Sequence, residues 1–503
     1  MAEGEFPSLY EVNTRPWLYR LGQSLGLARL ATFDDVPEAA LDQWAAQGFD
    51  WLYLLGVWQT GAAGQRVSAS EAQWRQEYAA ELADFGEEDV CGSPFAVTGY
   101  SVHSDFGGPA ALARLRQRLR QRGIKLMLDF VPNHSALDYP WVISHPEFYV
   151  HGSEADLAAQ PQNYVRVDVQ QGSLVLAHGK DPYFDGWPDT LQLNYRHAGL
   201  RAAQQAELLR VAKQCDGVRC DMAMLLLPDV FLRTWAERSQ PADGTPPIDV
   251  PWWPEAIGRV KERRPDFVFM AEVYWDLEWE LQCQGFDYTY DKRLYDRLRG
   301  VDTAGVRAHL GAGLDFQRKA VRFLENHDEP RAANVFPLGQ HQAAAVLTYL
   351  APGLRFFHEG QFEGWRVKTS LHLRRWADEA SDPILDVFYG QLLEVLKRAE
   401  LGAGVWRLLE CRPAWYGNPT WEQFVAFRWQ GEAGQRLLVG VNYGPSQGQC
   451  YVAPDLPGLQ GAQLGLRDLL GTEVFARDGS NLAQRGLYLD RPAWAYNVFE
   501  LTT

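Results

Sequence analysis

The sequence predicts an α/β fold: a (β/α)8 barrel with an inserted domain after its third strand and a C-terminal antiparallel β-sandwich domain. Three observations predict it. Eight short apolar runs recur along the chain, each followed by sequence of helical pattern. The alternation breaks between residues 133 and 195, which hold no clear long helix and are rich in Pro, Asp, Tyr and Gly. Beyond about residue 404 the helical pattern gives way to β-rich runs between Gly, Pro and Asn turns.

The eight runs are Leu9–Asn13, Trp51–Trp58, Lys125–Val131, Gly217–Met222, Phe267–Tyr274, Phe286–Tyr290, Val321–Glu325 and Leu354–Phe357. They are too short for helices of average length and show little polar alternation, as strands buried on both faces do. Among the helical segments, Pro37–Gln47 opens on Asp35-Val36-Pro37 and stops at Gly48, and Pro109–Arg122 stops at Gly123. Leu200–Lys213, Val230–Arg238, Pro254–Arg263, Gln340–Leu350 and Ile384–Arg398 read the same way. A doubly wound sheet alternates similarly, but eight units over about 400 residues favour the barrel. The β-rich runs are Phe424–Trp429, Arg436–Asn442, Gln449–Val452 and Trp494–Leu501, with a boundary near Gly402-Ala403-Gly404. The expected domains are a barrel over 1–132 and 196–403, an insertion over 133–195, and a β domain over 404–503.

Composition narrows the function. The 503 residues hold 64 acidic and 48 basic side chains, a net charge of −16, which disfavours nucleic-acid and membrane-surface partners. No apolar run of about 18 residues suggests a membrane span. The acidic start Met1-Ala2-Glu3-Gly4-Glu5 carries no apolar signal core. Six cysteines are scattered without a C-x-x-C pair, so a reducing, cytoplasmic setting is expected. Aromatics are plentiful, with 19 Trp, 21 Tyr and 24 Phe making 13% of the chain. They suit either a large core or a cleft lined with flat rings.

Barrel enzymes place their chemistry at the C-terminal ends of strands. There the sequence puts Asp129 through His134 after run three, Arg219 and Asp221 in run four, Glu272 in run five, and Glu325-Asn326-His327-Asp328 after run seven. Arg219 and Asp221 are two apart, so on a strand they share a face, with Cys220 and Met222 turned to the helix layer. The Arg keeps Asp221 ionised, as a nucleophile requires. Glu272 lies in an apolar run, where burial raises a carboxyl pKa, as a general acid requires. An ionised and a protonated carboxyl about 5–5.5 Å apart are the pair of a retaining glycoside hydrolase.

These segments resemble the conserved regions of the α-amylase superfamily, glycoside hydrolase family 13. Asp129-Phe130-Val131-Pro132-Asn133-His134 resembles its first region, Gly217-Val218-Arg219-Cys220-Asp221 its second, Ala271-Glu272-Val273 its third, and Glu325-Asn326-His327-Asp328 its fourth. Trp187 through Asn194 resembles the segment closing the family's inserted domain, and Ser93–Gly107 the segment before the third strand. The resemblance implies Asp221 as nucleophile, Glu272 as acid/base and Asp328 as the third carboxylate. It implies Arg219, His134, His327, Asp129 and Phe95 as substrate-binding residues. The implied partner is an α-linked oligo- or polysaccharide.

The departures sharpen this. Met224 and Leu225 stand where many relatives carry a Lys-His pair at the leaving-group sugar, which implies an apolar acceptor side. Phe95 replaces the usual Tyr. For calcium, Asn133 is a candidate ligand, but the family's second contributor, a His, is Leu225; no cofactor is required by this reading. Glu325 and Glu329 are left outside the site, and Arg114–Arg122 reads as a solvated helix face. Trp275 is a candidate sugar platform. Trp252, Trp253, Trp279 and Trp365 read equally well as packing. Three functions remain: a retaining α-glycosidase; a transglycosylase, sugar isomerase or phosphorylase using the same site; or a catalytically silent carbohydrate-binding protein.

Overall fold

Eight parallel strands close into a barrel in sequential order in the computed structural model, which describes residues 6–170 and 172–502. They are β1 (Ser8–Asn13), β2 (Trp51–Leu55), β3 (Lys125–Phe130), β4 (Gly217–Cys220), β5 (Val268–Ala271), β6 (Tyr288–Tyr290), β7 (Ala320–Arg322) and β8 (Leu354–His358). Each overlaps one predicted run, and nearly every position is buried, because the barrel interior covers one face and the helix layer the other. The acidic start at residues 1–5 lies outside the described residues.

The charged exceptions are informative. Glu11, Asp129, Arg219, Arg322 and Arg355 sit in these strands and are buried. Register places Arg219 of β4 directly beside Asp129 of β3 and Met270 of β5. The interior is therefore paired by charge rather than filled by hydrocarbon alone.

Two excursions leave the barrel mouth. After β2 the chain forms a hairpin of Trp58–Thr60 with Val97–Val102, and between them the helices Ala62–Ser70 and Ala72–Glu81. After β3, His134–Ala136 pairs with Thr190–Gln192, and the hairpin Tyr164–Val169 with Gly172–Ala177 lies between. The sequence reading named no helices between β6 and β7. The structure places Lys292–Arg299, Thr303–Leu310 and Leu314–Gln317 there, the first two capped by Asp291 and Asp302.

Beyond Val405 a six-stranded and a three-stranded antiparallel sheet face each other across Leu409, Phe424, Leu438, Val452, Leu489 and Phe499. The six-stranded sheet turns its other face to the barrel. There Trp429 Nε1 donates to the Leu350 carbonyl at 2.8 Å, and its ring meets Phe6 edge-on. Among the described residues no helix is long and apolar enough to cross a membrane.

The arginine-rich helix Gly108–Arg120 is not simply solvated. Arg114 pairs with Asp34, Arg118 with Glu38 and Arg122 with Asp42, matching acid and base every four residues. Arg116 turns inward to Asp216, just before β4, at 2.7 Å. Asp216 is 4% exposed and also accepts from Arg120 and the Leu126 N–H. Burial opposes its charge, but Arg116 and the N–H outweigh it and hold the carboxyl down at about 2. Its contribution to stability is therefore present above the ordinary carboxylate pKa and is lost as pH falls toward 2. Asp216→Asn should cost about 3–5 kcal/mol, as removal of one partner of a buried pair does. Calorimetry should show a lower Tm at pH 7, and an unchanged Tm would contradict this.

Candidate active site

The barrel mouth gathers its charged groups around one guanidinium. Arg219 is fully buried and lies in β4. One of its terminal nitrogens contacts Asp221 at 2.6 Å, and the other contacts Glu272 at 2.8 Å and Asp328 at 3.7 Å. Asp129 lies 4.0 Å away. The structure thus brings the three expected carboxylates together from the ends of β4, β5 and β7.

Strand endings explain the placement. β4 stops at Cys220, and the next two residues form a turn with Met222 in the left-handed region at φ 42°. A non-glycine residue there costs of order 1–3 kcal/mol. The turn aims the Met222 N–H at Glu272 Oε2, 2.7 Å away. It also corrects the expectation that Met222 faces the helix layer, because Met222 lines the pocket. The strand period does not extend past a turn. Glu272 follows the last residue of β5, and its N–H still bonds the Cys220 carbonyl at 3.0 Å. Its Oε1 accepts from Tyr274 at 2.9 Å.

A cavity of about 210 Å³ opens above these groups. Phe95, His134, Asp221, Glu272 and Asp328 line it. Arg219, His327 and Asp129, also expected to bind substrate, lie sealed beneath. Asp129 is 1% exposed, and its oxygens are taken by Tyr53 at 2.5 Å and the Gly56 N–H at 2.7 Å. It positions Arg219 and the end of β2, and it presents no oxygen to a ligand. His327 bridges Asp328 at 2.9 Å and Glu11 of β1 at 2.5 Å. Phe95 covers the Arg219 guanidinium at 5.2 Å, which is cation–π distance.

The charges separate by environment. Burial opposes charge on His327, but Asp328 and Glu11 outweigh it and lift the imidazole to about 10, so it is protonated at neutral pH. Burial likewise opposes Asp328, yet His327 and Arg219 hold its carboxyl well below the usual range. Its side chain stays 39% exposed, so a ligand reaches an ionised oxygen. Glu272 is pushed up to about 7 by burial, against the pull of Arg219. Asp221 also moves upward, because burial outweighs Arg219 there too; proximity to Arg219 moderates the shift without reversing it. Burial drives His134 down to about 3, leaving a neutral ring at 5.1 Å from Trp187.

Met224 and Leu225 do not form an acceptor surface. Both are core residues in the short helical turn Ala223–Leu226. Trp252, Trp253 and Trp365 are buried packing residues as well. Trp275, in the loop after β5, is not among the residues lining this cavity; it meets the exposed Tyr183 of the insertion at 5.0 Å, edge to face. The sequence reading missed Glu11, Tyr53 and Tyr274. Glu11 had a signal, as a lone acid inside an apolar strand.

For calcium, the Asn133 side-chain oxygen accepts from Gln192 at 2.9 Å, and Leu225 is a core residue. Among the described residues no group of three or more His, Cys, Asp or Glu could hold a metal ion.

Residues 97–292, which include Asp221 and Glu272, match the family model for the α-amylase catalytic domain. Over that segment, about two fifths of its length, the chain is similar to the α-amylase superfamily. An α-amylase of Haloarcula japonica is 26% identical over 288 residues, spanning 56% of this chain and 38% of that protein. An α-1,4-glucan:maltose-1-phosphate maltosyltransferase of Pseudomonas aeruginosa is 30% identical over 153 residues, 30% of this chain and 21% of that protein. The chain therefore spans less than two thirds of the length of these relatives. The acarbose-bound α-amylase of Geobacillus thermoleovorans shares the fold from end to end, at 16% identity, with a TM-score of 0.67 and all of both chains covered.

The Glu272 carboxyl should titrate near pH 7 in difference infrared spectra of the wild type against Glu272→Gln. Tyr274→Phe should raise that midpoint, because the lost hydroxyl donates to the charged form. A Glu272 midpoint near the ordinary 4.3 would contradict the burial argument.

Proposed function

We propose that the protein is a retaining α-glycosidase acting on α-glucosidic bonds of oligo- or polysaccharides. The observation that carries this is the pair of carboxyl groups on one buried guanidinium, with Glu272 poised near 7 and lining the pocket. Sharing one guanidinium suits the short spacing of a retaining pair, about 5–5.5 Å, better than the 6.5–9.5 Å that leaves room for a water.

In this mechanism an Asp221 oxygen attacks the anomeric carbon as the C1–O bond breaks. Glu272 gives its proton to the departing oxygen. The glucosyl group is then an ester of Asp221. Glu272, now a carboxylate, takes a proton from water or from a sugar hydroxyl, which attacks C1 and releases Asp221. Two inversions return the α configuration. Asp328, ionised beside the His327 imidazolium, supports the positive charge that develops at C1. Phe95 offers a ring face to the apolar side of the sugar, and neutral His134 a hydrogen bond.

Transfer to a sugar acceptor uses the same ester. The similarity to a maltosyltransferase favours keeping it as the second reading. We also infer a reducing, cytoplasmic setting from the scattered cysteines, and activity independent of added calcium.

Asp221→Asn and Glu272→Gln should each lower turnover of maltooligosaccharides at least about 10³-fold in folded protein. Glu272→Gln should keep much more activity on α-glucosyl fluoride, whose leaving group needs no proton. The kcat/KM profile of the wild type should be bell-shaped. It should fall above about pH 7 as Glu272 loses its proton, and on the acid side as Asp221 gains one, at a higher pH than an ordinary Asp. Chromatography with and without chelator separates the readings. Chains longer than the substrate indicate transfer, and sugar binding without turnover of any α-glucoside would overturn the enzyme assignment.

A further inference from the structure

One side of the pocket is closed by a wall that the mechanism does not use. Trp74 and His372 line the cavity, with ring centroids 4.5 Å apart. Trp74 belongs to the helix Ala72–Glu81 in the excursion after β2, and His372 to the loop after β8. The two loops are laced together. Ser68 bonds His372 Nδ1 at 2.7 Å, and the Cys91 N–H bonds the His372 carbonyl at 2.8 Å. Val90 bridges Leu373, the Arg374 N–H reaches the Asp89 carbonyl at 2.8 Å, and Arg375 pairs with Asp89 at 2.7 Å and Asp84 at 2.9 Å. Glu81 accepts from the Ser370 N–H at 2.7 Å.

Barrel order says which side this is. β2 and β8 flank β1, and β1 stands across the closed ring from β5. Glu272, which protonates the leaving group, is at the end of β5. The wall therefore lies on the far side of the bound sugar from the scissile bond. Met222 and the loop after β5 are on the leaving-group side.

Asp189 stands in the same wall. It lines the cavity, is 3% exposed, and its Oδ2 has no hydrogen-bond partner among the described residues. Its Cβ lies close to Gly64, in the helix that also carries Ser68. Burial pushes its carboxyl up to about 6. A buried acceptor without a donor is costly, and a site that carries one selects ligands that supply the donor. At about 210 Å³ the cavity is below the roughly 300–1,000 Å³ of sites that hold drug-sized ligands, and of the order of one hexose ring.

We propose that the site admits a single glucosyl unit, non-reducing end first, and that Asp189 accepts a hydrogen bond from the 4- or 6-hydroxyl of that terminal ring while Trp74 and His372 stop the chain. This rests on the glycosidase reading and adds exo action to it. An internal glucosyl unit carries the next sugar on O4. It would collide with the wall and leave Asp189 without its donor.

The test compares p-nitrophenyl α-maltohexaoside with the same compound capped as its 4,6-O-ethylidene acetal. The free-ended substrate should be shortened one glucosyl unit at a time, each unit released or transferred, and the cap should slow turnover by roughly 10³-fold or more. Trp74→Ala should narrow that gap by opening the wall, and Asp189→Ala should lower kcat/KM on the free-ended substrate chiefly through KM. Internal cleavage of the capped substrate at a comparable rate would overturn the exo proposal and leave the glycosidase reading standing. Turnover of neither substrate would overturn both. The wild-type comparison decides the matter even where a variant fails to fold.

Discussion

The structure of the site depends on the buried ion cluster centred on Arg219. Its guanidinium is shared by Asp221 and Glu272 at 2.6 and 2.8 Å, with Asp328 and Asp129 within 4.0 Å. His327 supplies the second cation and ties in Glu11. Five carboxyl groups thus share two cations, and all but Asp328 are buried. They cannot all stay ionised at the ordinary cost, so the surplus appears as raised carboxyl pKa values. Asp328 escapes because it faces the imidazolium directly, and Glu272 takes much of the burden because burial dominates there. An acid and an anion coexist at neutral pH because burial dominates at Glu272 and the imidazolium dominates at Asp328.

Barrel geometry makes the cluster possible. Parallel pairing sets Arg219 level with Asp129, so the pocket floor is fixed by strand register and not by loop conformation. Where the strands stop, the backbone bends sharply: Met222, Trp275 and Asp276 all take left-handed conformations beside the site. At Met222 the bend has a visible use, since it delivers an N–H to Glu272. Loops then set the boundaries. Those after β2 and β8, with Asp189 of the insertion, close one side, and Met222 with the loop after β5 shapes the other.

Much of this was legible in the sequence, for physical reasons. Apolar runs marked every barrel strand because both faces are buried, and strand-end carboxylates stood out because Asp221, Glu272 and Asp328 interrupt or follow such runs. Other features resisted reading. Residues at strand ends gave no sign of where the period-two pattern stops, which misplaced Met222. Met224 and Leu225 aligned with contact positions yet fold into a turn that packs in the core. Asp129 and Arg219 belong to motif segments, but only the closed barrel shows them beneath the pocket. The Trp74–His372 wall joins segments nearly three hundred residues apart, with no shared periodicity to announce it. The lone acid Glu11 inside β1 was readable in principle, because a charge in a doubly buried strand requires a partner.

Trapping the covalent intermediate tests the account most directly. Wild-type protein treated with 5-fluoro-α-glucosyl fluoride, which slows release of the glycosyl group, would be digested and mapped by mass spectrometry. The account predicts one fluoroglucosyl group per chain, carried on the Asp221 carboxyl. A label on another residue, or no label on a protein that turns over α-glucosides, would contradict it.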